Sequence, residues 1–224
     1  MIPQLNKYSL EFPHPNSASQ EGIVAWGGDL TPSRLHRAYY NGIFPWFNED
    51  DPILWWSPDP RFIMELDDFK ISKSLKKSIK KFKYKFDTNF EQVVKNCATA
   101  PRKEQDGTWI TTDMIEAYTT LHGMGIAHSV ESYLDDKLVG GLYGVAIGGV
   151  FCGESMFSYV SDASKAAYAA LVKHLKEWGY DFIDAQVATP HLERLGAKEI
   201  SRELFLEKLY KTRDKELNHL WKIC

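Results

Sequence analysis

Two different periods of apolar and polar positions run along the chain, and the switches between them outline its elements. Residues 1–60 follow neither period cleanly and are rich in turns, prolines and aromatics. Within them, "LTPSRLHRAYYNGIFPW" carries the punctuation of a helix. Thr31 suits the N-cap, Pro32 the first helical position, and Gly42 the left-handed conformation that ends the helix. "WWSPDPRF" (55–62) holds two prolines that make it stiff and extended. A boundary is expected near Arg61, giving a small domain over 1–61 and a larger one over 62–224. In "FKISKSLKKSIKKFKYKF" (69–86), Ile71, Leu75, Ile79 and Phe82 recur at helical spacing. A second helix fits 112–123, capped by Thr111 or Thr112 and closed by Gly123 and Gly125. The stretch "AHSVESYLDDKLVGGLYGVAIGGVFCGESMF" then reads as strands, with turns at Asp135-Asp136 and Gly148-Gly149. Ser161 or Asp162 opens a helix that reaches Trp178 and ends at Gly179, and "YDFIDAQV" (180–187) is a further strand. Helices interleaved with hairpin strands predict an α+β fold with a mostly antiparallel or mixed sheet.

One position breaks the apolar pattern. "LYGVAIGGVFCGESMFS" (142–158) is apolar, small or glycine almost throughout, yet holds Glu154. Gly148-Gly149 is a strong hairpin signal. With the turn there, Ile147 faces Val150 and Tyr143 faces Glu154. Glu154 then shares a face with Tyr143, Val145, Ile147, Val150 and Cys152. An unpaired carboxylate on such a face is costly, so it needs a partner. That partner is either a structural hydrogen bond, with Tyr143 as one donor, or a ligand such as an amine. "IDAQV" adds two more polar intruders, because Asp184 and Gln186 lie two apart on a predicted strand and point to one face. They are either a self-satisfied pair or, with Glu154, the polar end of a pocket.

Composition narrows the classes. The 224 residues are 44% hydrophobic with net charge −3, so no global charge announces nucleic acid or membrane. Cys97, Cys152 and Cys224 are odd in number and far apart, which argues against a disulfide framework and a zinc site and suits a reducing cytosol. The start "MIPQLNKYSLEFPHP" has no apolar core of a signal peptide, and no run is long enough to span a membrane, so a cytoplasmic location is expected. The charge is uneven, however. Residues 70–85 hold eight lysines and no acid. Lys73, Lys76, Lys77, Lys80 and Lys81 gather away from the apolar stripe, either as a solvated face or as a track for a phosphate backbone. Trp46, Trp55, Trp56 and Trp109 lie in turn-rich stretches, either filling an interface between small domains or stacking bases.

Several blocks taken together are more specific. "GGDLTPSRLHRAYYNGIFPWF", "PILWWSPDPR", "GTWITTDMIEAYTTLHGMGIAHSVE", "LVGGLYGV", "FCGESMFS", "ASKAA" and "IDAQVATPHLERLGA" resemble the leucyl/phenylalanyl-tRNA–protein transferase family, in order, from about residue 20 to 205. Tyr133 stands where the family pattern has tryptophan, and the last twenty residues match none of these blocks. The resemblance implies an aminoacyltransferase that moves leucine or phenylalanine, with methionine as a further candidate, from charged tRNA to proteins beginning with arginine or lysine. The added residue marks those proteins for degradation by the N-degron route. It implies a catalytic domain like the GNAT acetyltransferase fold and no metal or cofactor; separately, a monomer is expected. Carried over by motif, Trp46 and Trp109 sandwich the terminal adenine with Tyr39 close by. Leu142, Phe151, Tyr168, Leu171, Leu175 and Ile183 line the amino-acid pocket. Glu154, Asp184 and Gln186 align the amine, Asp184 fixing the Gln186 amide. Lys73, Lys76, Lys77, Lys80, Lys81 and Lys83 hold the acceptor stem. An acetyl-CoA enzyme of the same fold fits less well, because "SYVSDASK" before the helix lacks a glycine-rich pyrophosphate loop. A tRNA-binding module without chemistry leaves Glu154, Asp184 and Gln186 unexplained.

Overall fold

The computed structural model describes residues 1–100 and 109–221. Cys224 and the Gly107-Thr108 start of one motif lie outside them. Among the described residues the strands form two sheets. The smaller comprises β1 (Gln4–Leu5), β2 (Ile23–Gly27), β3 (Phe44–Pro45) and β4 (Leu54–Trp56), in the order β1-β2-β4-β3. The larger comprises β5 (Arg61–Glu65), β6 (Lys83–Phe86), β7 (Ala127–Leu134), β8 (Lys137–Ile147), β9 (Val150–Ser158), β10 (Phe182–Gln186) and β11 (Lys198–Ile200). Its order is β11-β5-β10-β9-β8-β7-β6, antiparallel at every join except β10 on β9, which is parallel. The expected α+β class with a mixed sheet holds. One buried cluster runs through both sheets, joining Leu35, Phe44 and Trp55 to Tyr143, Val150 and Phe205.

The helices are α1 (Pro32–Tyr40), α2 (Lys73–Ile79), α3 (Phe90–Thr99), α4 (Thr112–Gly123), α5 (Ala163–Trp178), α6 (Pro190–Leu195) and α7 (Arg202–Thr212). Thr111 caps α4 through the Met114 amide, and Gly179 ends α5 with φ of 83°. Sequence patterning assigns no element to 87–100, yet Phe90, Val93, Val94 and Cys97 are the buried face of α3 at helical spacing. The lysine segment begins as a helix, as its apolar spacing predicts, and then leaves it. Ser72 caps α2 by accepting from the Leu75 amide at 3.1 Å, and the chain has turned into β6 by Lys83. Ile71 and Phe82 therefore flank the helix rather than belong to it, and Lys83 sits on a strand, 3.1 Å from Asp136.

The hairpin β8–β9 is the scaffold of the site. Its turn is at Gly148-Gly149, and Ile147 faces Val150 as expected. Tyr143 does not face Glu154. The register runs Val145↔Cys152 and Gly144↔Gly153, then shifts to Tyr143↔Ser155. Glu154 is the extra residue of a β-bulge, and a bulge re-aims the side chain it carries. The second expected face also breaks: the β10 register shifts between Asp184 and Gln186, and Gln186 has φ of 65°. Left-handed backbone at a non-glycine residue is uncommon, and here it sends two residues of one strand to different partners.

Candidate active site

A cavity of about 640 Å³ opens beside this bulge. Its polar end carries Glu154 and Gln186, and its apolar wall includes Leu142, Phe151, Met156, Leu171 and Ile183. Trp46 and Trp109 stand on the same lining. Trp46 is 38% exposed, so a large aromatic face is open to a ligand. Its backbone is fixed from behind, where Trp56 Nε1 donates to the Trp46 carbonyl at 2.6 Å.

Glu154 is tied on both oxygens. Gln186 Nε2 donates to Oε1 at 2.7 Å, and the Tyr118 hydroxyl donates to Oε2 at 3.0 Å. Tyr118 is in turn hydrogen-bonded to the Tyr39 hydroxyl, so α1 and α4 both reach the carboxyl through buried phenols. Burial pushes the Glu154 carboxyl up to about 7, against the opposing pull of hydrogen bonds from Tyr39, Gln186 and Tyr118. Burial, with the Glu154 charge next, holds both phenols well above the ordinary tyrosine value, so they act as hydroxyl donors. Burial likewise pushes the Cys152 thiol up, which makes it a poor nucleophile.

Asp184 is engaged elsewhere. Arg61 grips it bidentately, Nε to Oδ1 at 2.8 Å and Nη2 to Oδ2 at 2.6 Å, and each side chain is only 1% exposed. Asp184 Oδ1 also accepts the Gln186 backbone amide at 3.0 Å. The Gln186 side-chain amide is thus held by Glu154, while Asp184 fixes Gln186 through its main chain. The Arg61 guanidinium lies between the rings of Phe44 and Phe205, 4.8 and 4.3 Å from their centroids.

The residues that the sequence marks do not all meet. Trp46, Trp109, Leu142, Phe151, Glu154, Tyr168, Leu171, Ile183 and Gln186 line one cavity. Tyr39, 2% exposed, lies behind Glu154 rather than on the wall, and Leu175 is buried in the core beneath it. Lys73, Lys76, Lys77, Lys80, Lys81 and Lys83 are all exposed, and α2 packs on α5, whose Ser164 and Tyr168 reach the cavity. Sequence patterning does not mark Arg61 or Tyr118 as part of the site. The available signal for Tyr118 is a hydroxyl on the buried face of α4 beside Met114 and Leu121. For Arg61 it is a charge at the head of the apolar run Phe62, Ile63 and Met64 in "RFIME".

One group among the described residues could approach a metal ion: Asp87, His122 and His128, with candidate ligand atoms within 4.8 Å of one another. His122 Nδ1 lies 2.8 Å from the Ala127 carbonyl, and His128 Nδ1 lies 2.7 Å from Asp87 Oδ2. Each of these two nitrogens faces an oxygen that needs a donor, so both Nδ1 atoms are committed to hydrogen bonds. The group is a hydrogen-bonded clamp.

Comparison with known proteins is consistent along the whole chain. The family described as leucyl/phenylalanyl-tRNA protein transferase matches residues 63–210, and the one described as its N-terminal domain matches residues 28–59. The chain is 68% identical over 223 residues to a leucyl/phenylalanyl-tRNA–protein transferase of Sulfurimonas denitrificans, covering 100% of this chain and 98% of that one. It is 55% identical over 212 residues to its counterpart in Nitrosospira multiformis, covering 93% and 91%. Among solved structures, a GCN5-related N-acetyltransferase from Kribbella flavida superposes with a TM-score of 0.37 at 12% identity, over 74% of this chain and 60% of that one.

Proposed function

The chain belongs to the leucyl/phenylalanyl-tRNA–protein transferase family and is an aminoacyltransferase, and from that premise we propose that it moves leucine or phenylalanine from tRNA to the α-amino group of proteins that begin with arginine or lysine. The observation that supports this most is the shared cavity. Two tryptophans, an apolar slot and a part-buried carboxylate–amide pair line one space. The tryptophans suit the terminal adenine, because base–aromatic stacking is worth ~1–3 kcal/mol per base. An apolar slot suits both leucine and phenylalanine, since a methylene is discriminated by only ~1–3 kcal/mol. The lysines of α2 suit the phosphates of the acceptor stem.

In the reaction, the amine nitrogen attacks the ester carbonyl, the new C–N bond forms, and the ester C–O bond breaks. The amine proton ends on the departing 3′-hydroxyl of the adenosine. The ester is already activated, so alignment is the protein's main task. Glu154, acting as an anion, holds the amine and orients the Gln186 amide, whose free oxygen can accept an amine hydrogen. Gln186 is too weak a base to take the proton. Asp184 has both oxygens committed to Arg61 and the Gln186 main chain, which favours a positioning part over proton acceptance. Marking of the acceptor for N-degron turnover follows from its new N-terminal residue.

The experiment is transfer of radiolabelled leucine from charged tRNA to two peptides, one starting with Arg and one with Ala. Label on the Arg peptide alone is the expected result. Label on neither, with tRNA still bound, overturns the proposal.

A further inference from the structure

The segment after α7 is a strap across the end of the larger sheet. Lys215 Nζ donates to the Gly179 carbonyl at 2.6 Å and pairs with Asp181 Oδ1 at 3.1 Å. His219 stacks on Trp178 at 4.5 Å with planes 18° apart. Trp221, 9% exposed, lies flat on His128 at 4.1 Å and 8°, and meets Trp178 edge-on at 4.9 Å. Its seat is rigid. His128 has Nδ1 on Asp87 and Nε2 3.2 Å from the Gly125 carbonyl, so both ring nitrogens are anchored.

Trp221 also reaches Phe151, with ring centroids 5.5 Å apart. Phe151 is fully buried and forms part of the cavity wall. On its β8 side the ring lies across Gly144, where a Cβ would stand 2.6 Å from Phe151 Cε1. One element of the pocket is therefore held between a position with no side chain and an indole delivered by the end of the chain. Trp221 lies beyond residues 63–210, the stretch that matches the family.

We propose that Trp221 is a specificity-determining positioning residue: through Phe151 it sets the depth of the side-chain pocket and hence the largest amino acid that is transferred. This rests on the reading of the cavity as the aminoacyl site. Removing the indole leaves a void behind Phe151 that the surroundings fill only in part. The ring gains room to retreat, the pocket deepens, and larger side chains enter while leucine fits more loosely.

The test uses the full chain with Trp221→Phe, Trp221→Leu and Trp221→Ala. For each, kcat/KM is measured for transfer to an Arg-initiated peptide from tRNA carrying leucine, phenylalanine or tryptophan. A ratio between two donors on one preparation is independent of the folded fraction, so a destabilised variant still reports. The tryptophan-to-leucine ratio is expected to rise about tenfold or more as residue 221 shrinks, with the Phe variant nearest wild type. The leucyl change is expected in KM, with kcat within about twofold. A ratio equal to wild type in all three variants overturns the proposal. A wild-type protein that transfers neither leucine nor phenylalanine overturns the reading of the cavity itself.

Discussion

Burial pushes the Glu154 carboxyl up to about 7, so near neutrality the free protein holds a mixture of acid and anion. In the proposed mechanism the anion is the form that orients Gln186 and receives the amine. The acceptor's α-amino group, with an ordinary pKa of ~8, must also lose a proton before it attacks. Two deprotonations therefore precede reaction below pH 7. The log of kcat/KM is expected to climb with a slope approaching two in wild type and approaching one in Glu154→Gln, in single-turnover assays from pH 5.5 to 8. Equal slopes would remove Glu154 from the titrating machinery. Arg61 gives a second expectation at this scale. Arg61→Met leaves Asp184 buried without its ion partner, which costs about 3–5 kcal/mol in denaturant unfolding. Changing Asp184→Asn alongside it recovers part of that loss, because the uncompensated charge is gone.

At the scale of elements, sequence and structure agree where local geometry decides and part where a neighbour does. The Gly148-Gly149 turn was legible because two glycines accept backbone that other residues resist, and Gly148 has φ of 51°. The bulge at Glu154 was not legible, since strict alternation extrapolates past it, and the extra residue is accommodated only by pairing with Tyr143↔Ser155 beyond it. Asp184 and Gln186 stand out in the sequence as polar intruders, and both are buried in the structure. Their separate partners follow from a left-handed residue that β-propensity does not announce. The Tyr39–Tyr118–Glu154 chain joins residues distant in sequence, so no spacing encodes it. The lysine stripe was legible as charge, while its division between α2 and β6 depended on the edge pairing of β6 with β7. Its function is open to direct measurement. Alanine at Lys73, Lys76, Lys77 and Lys80 is expected to raise KM for aminoacyl-tRNA. It is also expected to flatten the dependence of log KM on log salt by roughly 0.7–0.9 for each phosphate no longer neutralised. Transfer from an aminoacyl-adenosine, which has no stem, is expected to stay unchanged. A parallel fall with that small donor would show that α2 serves the fold rather than RNA.

For the whole molecule, the same carboxyl links activity to stability. Its folded value, about 7, stands above the reference value of 4.5. The folded state thus binds the proton more tightly, so this contribution is fully present below pH 4.5 and is lost as pH rises through 7. The size is at most about 3 kcal/mol, and the open cavity reduces it by letting water reach the carboxyl. Thermal melts are expected to show Glu154→Gln gaining on wild type between pH 5 and pH 8. A constant difference would contradict the raised value. The order in which the chain is made adds a constraint of another kind. The tip of the hairpin that carries Glu154 is moored at residues near the end of α7: the Gly149 amide donates to the Thr212 carbonyl at 2.9 Å, and a side chain at Gly148 would collide with that carbonyl. Folding during synthesis proceeds from the N-terminus. A ribosome must therefore release residues through Thr212 before the hairpin of Glu154 has its mooring, so a nascent chain that stops short of α7 holds the proposed site without its support.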